Sequence, residues 1–200
     1  MTRGTAARKA SRRLDPVERR AQLVALGVDL IKDRPFDQGT VDRVIKAAGI
    51  SKGLLFHYFP SKRDFQVAVV DAAAGELLAT LQPDDSLDVL EQLRAGIDAY
   101  IGYIEQNPSS YMAIVRSAGS DDALLDVFER TRDAVVALIA GRVVGEPSPL
   151  LALAIRGWIA SVEEATFLWL RDKPCEREAL VDLLYRSALQ LLPLVNEAAS

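Results

Sequence analysis

The sequence predicts an all-α protein of about nine helices. Apolar residues recur at spacings of three and four along most of the 200 residues, which is the period of a helix with one buried face. No run of alternating apolar and polar residues is long enough to indicate a sheet. Half of the residues are apolar and 26% are charged, as in a globular chain that buries its own core.

The composition argues against enzymes and metal proteins. His57 is the only histidine and Cys175 the only cysteine, so we expect neither a Ser-His-Asp or Cys-His catalytic site nor a metal site. Glycine-rich phosphate loops of the nucleotide-binding type are missing as well. We therefore predict a protein without enzymatic activity, metal or cofactor.

Signals for membrane insertion and secretion are weak. Segment 150–170 has the length of a membrane span but carries Arg156, Glu163 and Glu164 near its middle. We interpret it as a buried helix of a soluble protein that has no membrane partner. The first residues are basic and lack the apolar stretch of a signal peptide, which predicts a cytoplasmic location.

Charge is divided unevenly along the chain. Residues 1–64 carry 14 Lys and Arg against 7 Asp and Glu, whereas residues 65–200 carry 10 against 21. This division predicts an N-terminal part that binds a polyanion, with nucleic acid the leading candidate. Residues 1–14 are predicted to be a basic disordered arm that follows the phosphates or the minor groove of bound DNA; a merely solvated tail is the alternative.

Capping signals divide the basic third into short helices. Asp15 is predicted to cap the first helix, with Pro16 at its first position and Glu18 placed to close a capping box. Thr40 is predicted to cap a second helix of about two turns, which ends at Gly49.

Two more helices follow. Ser51 is predicted to cap a third helix that ends at Pro60, and Ser61 with Asp64 to form a capping box for a fourth. The second and third helices are joined by residues 48–51, which include a glycine. A short turn of this kind is typical of a helix-turn-helix, whose second helix lies in the major groove of DNA.

The third helix is predicted to have a packing side and a DNA side. Leu55 and Phe59, four residues apart, face inward. The outer residues are Lys52, Gly53, Leu54, His57 and Tyr58. Gly53 costs about 1 kcal/mol of helix propensity relative to alanine, which a close approach of DNA to the backbone would explain; a tolerated glycine is the alternative.

Residues 40–65, TVDRVIKAAGISKGLLFHYFPSKRDF, resemble the DNA-binding signature of the TetR family of bacterial transcriptional regulators. The match consists of Thr40, Ala47, Ala48, Gly49, Ser51, Lys52, Gly53, Leu55, Tyr58, Phe59 and Lys62. The sequence departs from the family pattern at Ile45-Lys46 and at Phe56, where a phosphate-binding tyrosine is usual and His57 is the candidate replacement. The predicted DNA contacts are Thr40, Ser51, Lys52, Gly53, Leu54, His57, Tyr58 and Lys62.

The resemblance implies a homodimer that binds a near-palindromic DNA operator and a small-molecule effector. It divides the chain into a DNA-binding domain (15–60), a connecting helix (61–82) and a ligand-binding and dimerisation domain (83–200). The predicted function is that of a repressor whose operator affinity is changed by a small lipophilic or amphipathic effector. The alternative is a helical DNA-binding architectural or adaptor protein without an effector.

The last two helices, predicted over 150–171 and 176–196, are the candidate dimer interface. The final helix spaces its residues alternately by four and three at Leu180, Leu184, Ser187, Leu191 and Leu194, a pattern typical of nearly parallel helix packing. The helix before it is apolar almost all round and needs partners on more than one side. The alternative is a monomer in which both helices belong to the core.

The predicted effector contacts are Tyr103, Tyr111, Arg116, Trp158, Glu163, Glu164 and Phe167. Ordinary core packing is the alternative for each aromatic residue. Glu163 and Glu164 point about 100° apart on an otherwise apolar helix. One carboxylate is predicted to pair with Arg156, and the other to line a cavity or to pair across the dimer.

Overall fold

The structure is a computed structural model that describes residues 15–116, 121–143 and 148–191. Within these ranges the chain forms nine α-helices and no β-strand, which confirms the predicted fold class. The helices are α1 (Pro16–Lys32), α2 (Thr40–Ala48), α3 (Lys52–Tyr58), α4 (Lys62–Thr80), α5 (Val89–Gln106), α6 (Pro108–Arg116), α7 (Asp122–Val143), α8 (Pro149–Asp172) and α9 (Arg177–Leu189). None of them combines the length and the apolar composition that a membrane span requires. The predicted basic arm and residues 192–196 of the predicted last helix lie outside the described ranges.

Local hydrogen bonds define the starts of α1 and α4. The Asp15 carboxylate accepts a hydrogen bond from the Glu18 N–H (2.8 Å) and the Glu18 carboxylate accepts one from the Asp15 N–H (3.1 Å), which confirms the predicted capping box. Ser61 caps α4 by accepting from the Asp64 N–H (3.1 Å). The Asp64 carboxylate accepts from the Ser61 hydroxyl instead of the Ser61 backbone, so the second predicted box forms only in part.

Thr40 does not cap α2, contrary to the prediction. Gly39 holds the cap position, and Thr40 is the first residue of the helix, with its side chain 1% exposed. The Thr40 hydroxyl donates to the Asp37 carboxylate (3.0 Å) and accepts from the Asp37 N–H (3.0 Å). Arg43 also donates to the Asp37 carboxylate (2.6 Å). The Thr40 hydroxyl therefore holds the loop before α2 and does not satisfy the free N–H groups of the helix.

The first four helices form the head of the molecule, which has its own apolar core. Its buried side chains include Leu23, Val28, Ile31, Val44, Leu55, Phe59, Phe65 and Val69. Leu124 and Val127, from the first turns of α7, belong to the same core. A helix from the second half of the chain is thus packed into the head.

The remaining helices form the body, which is held by three smaller apolar clusters. One joins α5, α8 and α9 around Ile101 and Trp169, another joins the end of α4 to α5 and α6 around Ile104, and a third joins α7 to α8 around Ile155. Leu77 near the end of α4 packs in the second cluster, so α4 contacts both head and body. The space between these clusters is a cavity.

Candidate DNA-binding surface and internal cavity

A left-handed glycine sets the geometry between α2 and α3. Gly49 has φ 64° and ψ 37°, a backbone conformation in which residues with side chains are strained. Its N–H donates to the Lys46 carbonyl (3.3 Å) and ends α2. The chain then reverses to Ser51, whose hydroxyl accepts from the Leu54 N–H (3.2 Å) and starts α3. The helix-turn-helix that the sequence predicts is present.

α3 has a buried side and an exposed side, as predicted. Leu55 is fully buried and Phe59 is 1% exposed, and both pack in the head core. The outer side consists of the exposed residues Lys52, Gly53, Leu54 and His57 and the half-buried Tyr58. A Cβ added at Gly53 would approach only the Ser51 hydroxyl, at 4.0 Å, so no neighbour in the chain requires a glycine there.

Ion pairs within the chain neutralise part of the positive charge of the head. Lys32 pairs with Asp29 and Glu76, Arg43 pairs with Asp37, and Arg63 pairs with Asp121. Lys46, Lys52 and Lys62 form no ion pair within the described part of the chain. The Lys62 ammonium lies 5.7 Å from the ring centre of Phe36. These three lysines, on α2, on α3 and at the start of α4, are therefore available to a polyanion.

Arg20 is a candidate DNA contact that sequence reasoning missed. Its guanidinium carbon lies 4.9 Å from the ring centre of Phe59, the residue that follows α3. This contact places a positive charge of α1 beside the DNA-facing helix. The two residues are far apart in the sequence, and no spacing rule connects them.

The body contains a cavity of about 200 Å³ between α5, α7 and α8, with contributions from α4 and α9. It is open to solvent at the start of α5, where the lining residues Val89 and Leu90 are exposed. Most of its wall is apolar and includes Leu77, Leu93, Ile97, Val135, Leu138, Ile155, Ile159 and Val162. The α5 residues that line it run from Val89 to Tyr100, which corresponds to roughly 16 Å along the helix axis. The cavity is therefore long and narrow, and smaller than the roughly 300–1,000 Å³ of common ligand pockets.

The inner end of the cavity is polar. Arg132 of α7 and Glu163 of α8 form an ion pair there, with side chains only 17% and 15% exposed. The Tyr111 hydroxyl donates to the Glu163 carbonyl (2.9 Å), and the Tyr100 hydroxyl donates to the Tyr111 oxygen (3.3 Å). Burial raises the pKa of Tyr111 to about 12 and the pKa of Tyr100 well above its ordinary value, so both phenols stay neutral. Burial also raises the pKa of Glu163, although Arg132 acts in the opposite direction.

Arg156 does not pair with Glu163, contrary to the prediction. It binds Glu129 and Asp133 of α7 instead. Arg156 and Glu163 are seven residues apart on α8, a separation of roughly 10 Å along the axis. Each side chain finds its partner on the neighbouring helix, where the oppositely charged group is closer.

Three of the predicted effector contacts line the cavity, namely Tyr111, Trp158 and Glu163. Sequence reasoning missed Arg132 and Gln92, which line it as well. Both resemble the solvated polar positions of an amphipathic helix. The one sequence signal for Arg132 is that it follows Phe128 by four residues and shares its helical face; the Arg132 guanidinium lies 4.4 Å from that ring centre.

The other predicted effector contacts lie elsewhere or outside the described residues. The Tyr103 hydroxyl donates to the Ala73 carbonyl (3.1 Å), Glu164 is exposed, and Phe167 packs in the cluster that joins α4, α5 and α6. None of these three is among the residues that line the cavity. Arg116 ends α6, and its side chain lies outside the described part. Among the side chains that are described, no three His, Cys, Asp or Glu residues are grouped to hold a metal ion.

A helix-turn-helix head joined to an all-helical body with an apolar cavity defines a class of DNA-binding regulators. A family model described as the C-terminal domain of tetracyclin repressor-like proteins matches residues 89–191. A second model, of bacterial regulatory proteins of the tetR family, matches residues 23–69. This chain belongs to the TetR family, and it is a DNA-binding transcriptional regulator.

Individual proteins show the same relationship. The transcriptional activator FasR of Mycolicibacterium smegmatis is 25% identical over 177 residues, which cover 85% of this chain and 81% of FasR. A crystal structure of a tetR-family regulator from Streptomyces coelicolor superposes with a TM-score of 0.79 at 25% identity and covers 93% of this chain and 90% of that one. FadR of Bacillus subtilis, crystallised with stearoyl-CoA, shares the fold with a TM-score of 0.60 at 17% identity, over 88% of this chain and 96% of FadR.

Proposed function

We propose that this regulator acts as a homodimer on a near-palindromic operator, and that a small lipophilic or amphipathic effector bound in the cavity changes its operator affinity. The observation that carries the proposal is that α7 belongs both to the head core and to the cavity wall. A cytoplasmic location follows from the DNA partner. The sequence predicts repression, whereas the FasR relative is a transcriptional activator.

α7 provides the physical link between cavity and head. Leu124 and Val127 are 4% and 1% exposed in the head core. Asp121, just before α7, pairs with Arg63 in the first turn of α4. Further along the same helix, Val135 lines the cavity. A ligand that displaces this part of α7 therefore also displaces the head, because a helix moves largely as a rigid element.

An exposed apolar face on α8 and α9 supports the proposed dimer. Its leucines are Leu150, Leu153 and Leu168 on α8 and Leu183 on α9. Gly157 and Ser161 lie between the α8 leucines on the same face, and both are exposed. Two copies of this face, related by a two-fold axis, would bury it in a bundle of four helices.

The leucines that suggested this interface in the sequence lie on another side of α9. The inward residues Leu180, Leu184 and Leu191 pack within the protomer against α5, α7 and α8. Ser187 accepts a hydrogen bond from Trp158 of α8 (2.9 Å), and Leu194 is outside the described residues. The regular four-and-three pattern therefore marks a core face, and the proposed interface includes Leu183 instead.

The cavity supports a slim lipophilic effector. It is long, narrow and mainly apolar, and the one charged pair at its inner end is internally neutralised. FadR, which has the same fold, was crystallised with stearoyl-CoA, so this architecture can accommodate a ligand with a long acyl chain.

The effect of a ligand on operator affinity tests the proposal. Operators are selected by sequencing fragments of the native genome that the protein binds, and ligands by screening for a change in tryptophan fluorescence, since Trp158 lines the cavity. Fluorescence anisotropy with labelled operator should show a change of roughly 5–150-fold when the ligand is saturating. Operator DNA should change ligand affinity by the same factor, because the coupling is reciprocal.

A ligand that saturates the cavity without changing operator affinity would contradict the proposed switch. That result would favour the alternative of an architectural or adaptor protein, which binds DNA without an effector. The apolar cavity favours the effector-dependent function, because an adaptor has no need for an internal cavity of this length.

Lys62→Ala should weaken binding to operator and non-operator DNA alike. Lys62 lies at the start of α4, forms no ion pair with the described residues, and is predicted to bind a phosphate. Loss of one phosphate contact flattens the salt dependence by about 0.9 log units per log unit of salt, or twice that in a dimer. The matched control is Lys32→Ala, since Lys32 is already paired with Asp29 and Glu76 and should leave the slope unchanged. Equal slopes for wild type and Lys62→Ala would remove Lys62 from the DNA-binding surface.

A further inference from the structure

We propose that the effector carries a neutral hydrogen-bond donor, a hydroxyl or an N–H group, that binds the side-chain oxygen of Gln92. Gln92 lies near the start of α5, at the outer end of the cavity, opposite the inner end that holds Arg132 and Glu163. The inference rests on the proposed function, since it concerns the ligand of the same cavity. It assigns Gln92 as the residue that recognises the polar end of the ligand.

Gln92 presents a buried acceptor without a partner. Its side-chain nitrogen donates to the Leu87 carbonyl (2.8 Å). That bond decides the orientation of the amide, because a carbonyl accepts from nitrogen and repels the side-chain oxygen. The Gln92 oxygen Oε1 is buried and has no hydrogen-bond partner within the described part of the chain. Buried acceptors are almost always paired in folded proteins, so the unpaired oxygen of a residue that lines the cavity indicates a donor that comes from outside the chain.

The other polar groups of the cavity are already committed to partners in the chain. The Thr131 hydroxyl donates to the Val127 carbonyl (2.7 Å), and the Trp158 indole donates to Ser187 (2.9 Å). The Tyr100 hydroxyl donates to Tyr111 (3.3 Å). Of these polar groups, the Gln92 oxygen is the buried one that makes no hydrogen bond within the described part of the chain, so an added donor gains most there.

A carboxylate gains little inside this cavity. Arg132 is ion-paired with Glu163, so an anion at the inner end would meet a positive charge that is already neutralised and a carboxylate that repels it. Arg142, which lines the outer end, is paired with Asp85 (2.6 Å). A neutral alcohol or amide that binds Gln92 does not have to compete with a carboxylate of the chain for a positive charge.

The position of Gln92 also sets the shape of the ligand. Gln92 and Tyr100 are eight residues apart on α5, roughly 12 Å along the helix. The wall between them contains Leu93, Gly96 and Ile97. The matching ligand is an apolar chain of about this length with one polar end, for which n-decanol is a suitable probe.

The test compares n-decanol, decyl methyl ether and decanoate on the full-length protein by calorimetry and tryptophan fluorescence. The ether keeps the oxygen and the chain but cannot donate a hydrogen bond. Wild type should bind decanol roughly tenfold more tightly than the ether. Gln92→Met should remove that preference while ether binding stays the same. Gln106→Met, the same substitution at the exposed end of α5, should behave as wild type.

Other outcomes overturn the inference. Equal affinity of wild type for alcohol and ether would show that Gln92 binds only water or merely packs. Tighter binding of decanoate than of decanol would show that the polar end is an anion. Absence of binding of all three would exclude this ligand class. None of these results bears on the proposed switch, which is judged by whether any ligand of the cavity changes operator affinity. A melting temperature of Gln92→Met at or above that of wild type checks that the variant is folded.

Discussion

Leu183→Glu is expected to give a folded monomer that binds operator DNA weakly. Leu183 is 60% exposed in the protomer, so the new carboxylate stays solvated in the isolated chain. In the proposed dimer the same side chain is enclosed, and burial of an unpaired carboxylate costs several kcal/mol. Each head then binds a half-site alone, which lowers operator affinity by roughly 10²–10⁴-fold. Sedimentation velocity measures the first effect and anisotropy with labelled operator the second.

Two other leucines provide controls for this variant. Leu184 is the next residue but is 3% exposed inside the protomer, so Leu184→Glu should unfold the chain instead of producing monomers. Leu125, on α7, is 39% exposed and lies outside the proposed interface, so Leu125→Glu should remain a dimer. A stable dimer of Leu183→Glu would place the interface on another surface.

Glu163→Gln is expected to destabilise the body by roughly 3 kcal/mol. The substitution keeps the shape of the side chain but leaves Arg132 charged, 17% exposed and without its partner. For a chain of this length, that loss lowers the melting temperature by about 6–12 °C. Circular dichroism at a fixed protomer concentration measures it, because the stability of a dimer depends on concentration.

A double variant separates the loss of the pair from the loss of packing. Arg132→Met combined with Glu163→Leu removes both charges, and most of the stability should return because no buried charge is left unpaired. Glu164→Gln is the matched control, since Glu164 is the exposed neighbour on the same helix and its substitution should change stability by less than about 0.5 kcal/mol. Equal melting temperatures of Glu163→Gln and Glu164→Gln would show that the ion pair contributes nothing.

The features that the sequence predicted correctly are local. The capping box of Asp15 and Glu18, the end of α2 at Gly49 and the inward pair Leu55 and Phe59 each involve residues within a few positions of one another. Their geometry follows from the helix period and from backbone preferences, which neighbouring residues determine largely by themselves. The helix-turn-helix and the all-α fold follow from these local rules.

Neither the cavity nor the packing partners of the two sides of α9 could be predicted from such local patterns. Leu183 and Leu184 point about 100° apart on the same helix, and both are apolar. The spacing of α9 places Leu184 on the apolar face, but whether that face packs against α5 and α8 of the same protomer or against a second copy depends on where those helices lie. The same holds for Thr40, whose hydroxyl was expected at a helix cap but donates to Asp37 in the preceding loop and accepts from Arg43.

The class of this protein, an all-α chain with a basic helix-turn-helix of the TetR type, follows from its amino-acid sequence. Which polar residues meet inside the body depends on how the helices pack. Arg132 pairs with Glu163, Arg156 pairs with Glu129 of α7, and the Gln92 oxygen has no donor among the described residues. The physical reason is that charge pairing and burial depend on distances between helices, whereas capping and helical periodicity depend on distances along one chain segment.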